Sequence, residues 1–124
     1  MNLAQIKRLP LIFVGLLLCQ TLYAQTEVKK PVAYKFAEFR EINNAKLKEK
    51  LHDFYVLVDE GTSQGYIINY GSPAQIRGRK DAIIKIVSGF KFQGPRVTFV
   101  DGPTEKTIRT VLWVVPPGAE NPRP

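Results

Sequence analysis

The stretch GYIINYGSPAQIRGRKDAIIKIV, residues 65–87, decides the fold because it joins a strand to a helix. Its first part, GYIINYG, is apolar on both faces and rich in strand-forming residues, which predicts a central strand flanked on both sides. Ser72 and Pro73 follow at once, and Gln75 stands three residues after the serine. Serine at the N-cap, proline at the first helical position and glutamine at the third predict that a helix begins here.

This predicted helix opens with positive charge although its later residues form an apolar face. Arg77, Arg79 and Lys80 stand in its first turns, before Ile83 continues the apolar face. Arg79 lies four residues before Ile83 and therefore falls on that face. A buried guanidinium without a partner is strongly unfavourable, so Arg79 is expected to have a partner of its own.

Two interpretations of Arg79 remain open from the sequence. In the first, Arg79 and Arg77 converge with the helix amides after Ser72 on one anion, at the carboxyl edge of the sheet where ligands of α/β proteins usually bind. Tyr70, which ends the preceding strand, completes this set of candidate ligand-binding residues. In the second, Arg79 pairs with Asp101 or another internal acid, and Arg77 and Lys80 are solvated.

The first residues resemble a secretory signal peptide, residues 1–24. Lys7 and Arg8 precede a short apolar run, LIFVGLLLC, and the segment ends on the small residue Ala24. The run is too short to span a bilayer, which needs about 20 residues. A lipoprotein signal ending at Cys19 is the alternative, but Leu18 occupies the place where such signals carry a small residue. We therefore expect an exported protein, periplasmic or associated with the outer membrane or cell surface.

Length and charge limit the classes of protein that fit. The chain has 124 residues and a net charge of +7, and it stays basic without the leader. This length corresponds to one domain. Basic exported proteins have anionic neighbours such as lipid head groups, cell-wall carboxylates or acidic polysaccharide. The scattered charge lacks the Lys/Arg runs of nucleic-acid modules, so we expect no nucleic-acid partner.

Apolar spacing predicts the remaining elements. Between residues 42 and 60, one apolar stripe recurs at steps of four, three and four, and it predicts an amphipathic helix (Leu47, Leu51, Phe54, Val58). Strands are predicted on both sides of the two helices, in the segments YKFAEFR, GYIINYG, PRVTFVDG and KTIRTVLWVV. The connection DGPTE is short enough to make the last two strands a hairpin.

The predicted order β-α-β-α-β-β gives an α/β (α+β) fold, a two-layer sandwich with a mixed four-stranded sheet and two helices on one face. The domain is expected at residues 34–115. A flexible lead-in, residues 25–33, precedes it, and a proline-rich disordered tail, residues 116–124, follows it.

Other candidate residues have ordinary structural interpretations as well. His52, the one histidine, has no cysteine or second histidine spaced to complete a zinc site. The carboxylates that could form a catalytic pair stand at helix ends and turns (Asp59, Glu60, Asp101, Glu105). Three strand aromatics could form a shelf for sugar rings or belong to the core (Tyr66, Tyr70, Trp113). We expect no catalytic residues, metal or cofactor.

Several segments resemble the OmpA-like peptidoglycan-binding domain, over about residues 35–115. RKDAIIKIV is similar to that family's Arg-Ala-x-x-Val-x-x-Tyr-Leu helix, with Arg79 in the arginine place, and GYIINYG, PRVTFVDG and IRTVLWVV are similar to its strands. The residues from Trp113 to Gly118 also resemble the end of a group of small exported bacterial proteins of unknown role. The resemblance implies that Arg79 contacts wall peptide together with an aspartate. The chain has Tyr70 and Gly71 at the family's Thr-Asp pair, so that carboxylate is missing.

Two functions follow as expectations. The first is a non-catalytic, envelope-associated binding module that recognises an anionic ligand, such as cell-wall peptide, through the start of the second helix. The second is a partner-binding or structural protein with the OmpA-like fold and an empty ligand site.

Overall fold

The computed structural model describes residues 29–92 and 96–124. The expected signal peptide, Cys19 and the first part of the lead-in, residues 25–28, lie outside this part of the chain. Within the described residues, six elements follow one another: β1 (Tyr34–Phe39), α1 (Asn44–Glu60), β2 (Gln64–Tyr70), α2 (Pro73–Val87), β3 (Val97–Asp101) and β4 (Arg109–Val115). The predicted order of helices and strands is confirmed.

The four strands form one mixed sheet in the order β1-β4-β2-β3. β2 pairs in parallel with β3, whereas β4 runs antiparallel to both of its neighbours, β1 and β2. β1, β2 and β3 therefore point the same way, and their carboxyl ends meet at one edge of the sheet. We call this end of the strands the carboxyl edge and the opposite end the amino edge. The outermost strands of the sheet, β1 and β3, are called edge strands.

The expected hairpin between β3 and β4 is wrong. β4 lies on the far side of β2, so the connection after β3 crosses the carboxyl end of β2. Backbone hydrogen bonds hold this crossing, from Gly102 to Asn69 (2.8 Å) and from Glu105 to Gly71 (3.3 Å). β4 is apolar on both faces, and in a central position the side chains of two neighbouring strands flank its own on each face, whereas at the edge of the sheet only one strand would do so.

Both helices pack on one face of the sheet, as predicted. The stripe of α1 is buried throughout, and its residues share one core cluster with Ile83 of α2 and with Ile67 and Leu112 of the sheet. Gly65 of β2 lets the helix approach, because a Cβ there would stand 2.7 Å from the Phe54 ring. This close fit fixes the position of α1 over the sheet.

The other face of the sheet, which we call the open face, has a smaller cluster of its own. Ile68, Tyr70 and Val111 are buried there, with Val100 and Trp113 packed against them.

A register shift in β1 between Lys35 and Ala37 explains why the apolar spacing of this strand is irregular in the sequence.

Candidate functional site

The start of α2 at the carboxyl edge is built by a capping box, as the sequence predicts. The backbone N–H of Gln75 donates to the Ser72 hydroxyl (3.1 Å), and the backbone N–H of Ser72 donates to the Gln75 side chain (2.9 Å). These bonds satisfy two of the amides that an anion at the helix end would use. Ser72 therefore holds the helix in place by contacts within the protein.

Arg79 is half-buried and is held by neutral oxygen atoms. Its Nη1 donates to the Thr110 hydroxyl (2.8 Å), its Nη2 donates to the Arg40 carbonyl (2.7 Å), and its guanidinium lies 5.4 Å from the centre of the Phe39 ring. Among residues 29–92 and 96–124, no carboxylate stands at ion-pair distance from this guanidinium. Burial lowers the pKa of Arg79, and nearby Glu41 acts in the opposite direction.

The contact between Arg79 and Thr110 continues into the core. Thr110 is fully buried and donates to the side-chain oxygen of Asn69 (2.7 Å), which is 1 % exposed. The amide nitrogen of Asn69 has no acceptor in the described part of the chain. Arg79 thus ends a polar chain that ties α2 to β4 and β2. The second interpretation of the sequence expected an internal partner, but an acid, whereas the partners here are a hydroxyl and a carbonyl.

Arg77 lies in a pocket of about 340 Å³ on the other side of α2. Residues two apart on a helix point in nearly opposite directions, so Arg77 and Arg79 do not converge. Lys80, one turn after Arg77, lines the same pocket and lies 5.7 Å from the centre of the Phe99 ring. Asp101, Gly102 and Thr104 close it at the end of β3. Asp101, considered from the sequence as a partner for Arg79, belongs to this pocket instead.

The pocket keeps its charges unpaired. Where the chain is described, neither Arg77 nor Lys80 has a carboxylate at ion-pair distance, and neither does Asp101 have a cation. Arg77 and Asp101 are exposed. The pocket therefore presents two cations from α2 and one carboxylate from β3 to whatever enters it.

Tyr70, the fourth candidate residue, is covered by a cluster that sequence reasoning missed. The Arg109 guanidinium lies 3.8 Å from the centre of the Tyr70 ring. It donates to both carboxylate oxygens of Glu105 (2.6 and 3.1 Å) and to Glu38 (2.8 Å). Gly102 closes in on the same ring, so Tyr70 is only 7 % exposed.

Charge pairing shifts the pKa values of this cluster. Hydrogen bonds to the two glutamates raise the pKa of Arg109, and the bonds from Arg109 lower the pKa of Glu38 and of Glu105. The cluster joins β1, β4 and the crossing segment on the open face. The sequence held one signal for this cluster. Arg109 follows Glu105 by only four residues, and it lies on the same face of its predicted strand as Val111 and Trp113.

The carboxylates considered for acid catalysis do not form a pair. Asp59 and Glu60 end α1 just before β2 begins, at the amino edge, whereas Asp101 and Glu105 lie at the carboxyl edge. Glu105 is already paired with Arg109. These carboxylates do not face one another across a cleft.

His52 lies on the exposed side of α1 among aromatic rings. Its ring centre is 5.5 Å from that of Phe90 and 5.6 Å from that of Phe92, and its Nδ1 lies 3.8 Å from Asp53. Within the described residues, no three side chains of the kinds that bind metals come together. Across the same residues, no helix has the length and apolar character that a membrane span needs.

No protein-family model, curated protein or solved structure matches the chain. The candidate site is therefore defined by its own geometry. It consists of the pocket beside the first turns of α2, which we call the Arg77 pocket.

Proposed function

We propose that the protein is a non-catalytic, exported, envelope-associated binding module that recognises an anionic ligand at the start of α2. One observation carries this proposal: Arg77 and Lys80 line a pocket at the carboxyl edge and, within the described residues, have no ion-pair partner. Arg79, which the OmpA-like resemblance would favour, makes its hydrogen bonds inside the protein.

Physical chemistry favours an anion in the Arg77 pocket. The dipole of α2 is equivalent to about half a positive charge at its amino end, and the pocket lies beside that end. The guanidinium of Arg77 has the planar donors that bind carboxylate or phosphate by two parallel hydrogen bonds. Lys80 adds a second positive charge one turn further along. The result is a short positive strip facing the end of β3.

The negative charge of Asp101 restricts which anionic ligands can bind in the Arg77 pocket. A ligand with a negative group alone would be repelled by this carboxylate, whereas a ligand that also carries an ammonium group would pair with it. Cell-wall peptides carry carboxylates and free amines together. We therefore propose such a peptide as the ligand, with its carboxylate at Arg77 and Lys80 and its amine at Asp101.

A pull-down on purified peptidoglycan tests the proposal. The Arg77→Gln/Lys80→Gln double variant should bind at least about tenfold more weakly than the wild type, because it loses two charge-assisted contacts. The Lys46→Gln/Lys50→Gln double variant, on the exposed side of α1, makes the same charge change away from the pocket and should bind normally.

Two further variants distinguish binding in the Arg77 pocket from binding at Arg79. Asp101→Asn should weaken binding to intact peptidoglycan but not to material whose free amines have been acetylated. Arg79→Gln should lower stability and keep the affinity. Loss of binding in Arg79→Gln alone would transfer the site to Arg79. Equal retention of all variants, or none of the wild type, would overturn the proposal.

One observation favours the second function, binding of a partner protein. β1 is an edge strand; it begins at the exposed residue Tyr34 (46 %), and the exposed Val32 (75 %) lies just before it. An edge of this kind can accept a strand from another chain. Light scattering should then show a dimer or a hetero-complex, and a protein that stays monomeric and captures no partner would count against it.

A further inference from the structure

A second pocket, of about 440 Å³, lies at the amino edge beside Trp113. We call it the Trp113 pocket. Its apolar walls come from Trp113 on the open face, from Pro31 and Val32 before β1, and from Pro122 near the end of the chain. A turn after β4 brings these segments together, with the Ala119 N–H donating to the Pro116 carbonyl (3.1 Å).

Glycine is required in that turn. Gly118 has a φ of +83°, which other residues rarely adopt, and the pyrrolidine ring of Pro31 lies against it. The tail therefore returns along the segment that precedes β1, and the pocket is formed by residues far apart in the sequence. Disorder of the tail, residues 116–124, was expected from its composition and stays a prediction; the Trp113 pocket requires these residues to be ordered.

Trp113 is more than an apolar wall. Its indole N–H is buried and has no acceptor in the part of the chain that the structure describes. Such an orphaned donor is unfavourable, and a phenylalanine would fill the same strand position without it. Trp113 packs against the open-face cluster, but among the described residues no internal hydrogen bond explains why tryptophan rather than phenylalanine stands here; its broad aromatic surface is suited to stacking on a ligand.

The polar rim of the pocket narrows the ligand class. Asn121 and Glu120 offer amide and carboxylate groups that can bind hydroxyl or acetamido groups, and Lys30 and Arg123 supply two positive charges against one negative. Flat apolar walls with planar polar groups at the rim suit a sugar ring, and the excess positive charge suits a carboxylate on it. We propose that the Trp113 pocket binds an acidic sugar ring, which stacks on Trp113 and pairs its carboxylate with Lys30 or Arg123.

This inference rests on the exported, envelope-facing location of the proposed function, and its test ligand is a unit of the same peptidoglycan, but different residues carry it. The Arg77 pocket lies at the carboxyl edge next to β3, whereas the Trp113 pocket lies at the opposite, amino edge next to the start of β1. The two sites have no lining residue in common. Each can therefore fail in experiment without the other.

The tryptophan itself provides the measurement, because the chain contains one tryptophan. The purified protein is titrated with the disaccharide of N-acetylglucosamine and N-acetylmuramic acid, whose lactyl group carries a carboxylate. N,N′-Diacetylchitobiose, the matched neutral disaccharide, called chitobiose below, is the control. We expect a saturable change in emission with the acidic disaccharide and about tenfold weaker binding of chitobiose, equivalent to about 1.4 kcal/mol.

Charge variants locate the carboxylate. Arg123→Gln and Lys30→Gln should together bring the affinity for the acidic disaccharide to that for chitobiose, whereas Lys29→Gln, at the neighbouring exposed lysine, should leave it unchanged. The Arg77→Gln/Lys80→Gln variant should titrate like the wild type. The same affinity in all of these variants would overturn the proposal, as would the absence of any emission change.

Trp113→Phe separates binding from folding. By calorimetry, this variant should bind the acidic disaccharide at least fivefold more weakly, an effect of about 1 kcal/mol, and its Tm should equal or exceed that of the wild type. A lower Tm with unchanged affinity would make Trp113 a structural residue and refute the proposal. Preferential binding of a hexaproline peptide over the disaccharides would also refute it.

Discussion

A valine in place of Thr110 removes the buried hydroxyl that joins Arg79 to Asn69. Thr110 is 0 % exposed, accepts a hydrogen bond of 2.8 Å from Arg79 and donates one of 2.7 Å to Asn69. A hydrogen bond to a charged group contributes about 1.5–3 kcal/mol, and a neutral one about 0.5–1.5 kcal/mol. Since Arg79 is only half-buried, we expect the free energy of unfolding of Thr110→Val to fall by about 2–4 kcal/mol.

Urea unfolding followed by tryptophan fluorescence and by circular dichroism measures this loss. For a domain of this size the change corresponds to a Tm lower by about 10–25 °C. Thr98 provides a matched control, because it is an exposed threonine on β3, an edge strand of the same sheet. Thr98→Val should unfold within about 0.5 kcal/mol of the wild type.

A double-mutant cycle tests whether the hydroxyl acts through Asn69. In Thr110→Val the amide of Asn69 is left buried with no partner, so adding Asn69→Leu should recover about 1 kcal/mol or more relative to additivity. The reasoning is refuted if Thr110→Val unfolds within about 0.5 kcal/mol of the wild type, or if the two substitutions are strictly additive.

Two glycines should respond to alanine in opposite directions. Gly65→Ala places a Cβ 2.7 Å from a buried phenylalanine ring and should cost about 1–3 kcal/mol in urea unfolding. Gly78→Ala meets nothing within 4 Å inside α2 and should gain about 0.5–1 kcal/mol; equal effects at both sites would contradict the packing. The carboxylates bound by Arg109 should make stability fall in acid. The pKa of Glu105 is lower in the folded protein, so its contribution is complete above about pH 4.3 and is lost as the pH falls through the folded-state pKa. Thermal unfolding of Glu105→Gln from pH 7 to pH 3 should show a shallower acid loss, and an unchanged acid profile would argue against the ion pair.

The elements of the fold could be predicted because their signals are local. The apolar stripe of α1 needs only the helical repeat, and the start of α2 needs only Ser72, Pro73 and Gln75, which lie within one turn. The irregular spacing of β1 was visible, although its cause, a shifted register, was not. Local periodicity states which face of an element is buried, but it does not state which neighbour buries it.

The start of α2 could be selected as a candidate site from the sequence, but the contacts of its arginines could not be predicted. One of the two interpretations left open by the sequence brought Arg77 and Arg79 together on one anion, whereas the helical repeat turns them to opposite sides of α2. Arg79 received its partners from β4 and from the backbone of Arg40, at separations of 31 and 39 residues. No spacing rule reaches that far along a chain.

The sequence by itself determined the order of the elements, the capping of α2, the two-layer arrangement and the basic character of the carboxyl edge. Only the tertiary structure decided that β4 enters between β1 and β2, and this one placement brings Thr110 to Arg79, Arg109 to Tyr70, and the tail to the segment before β1. The physical reason is the burial of a strand that is apolar on both faces. Such a strand is most stable in the middle of a sheet, and its partners there are chosen by packing across the whole chain.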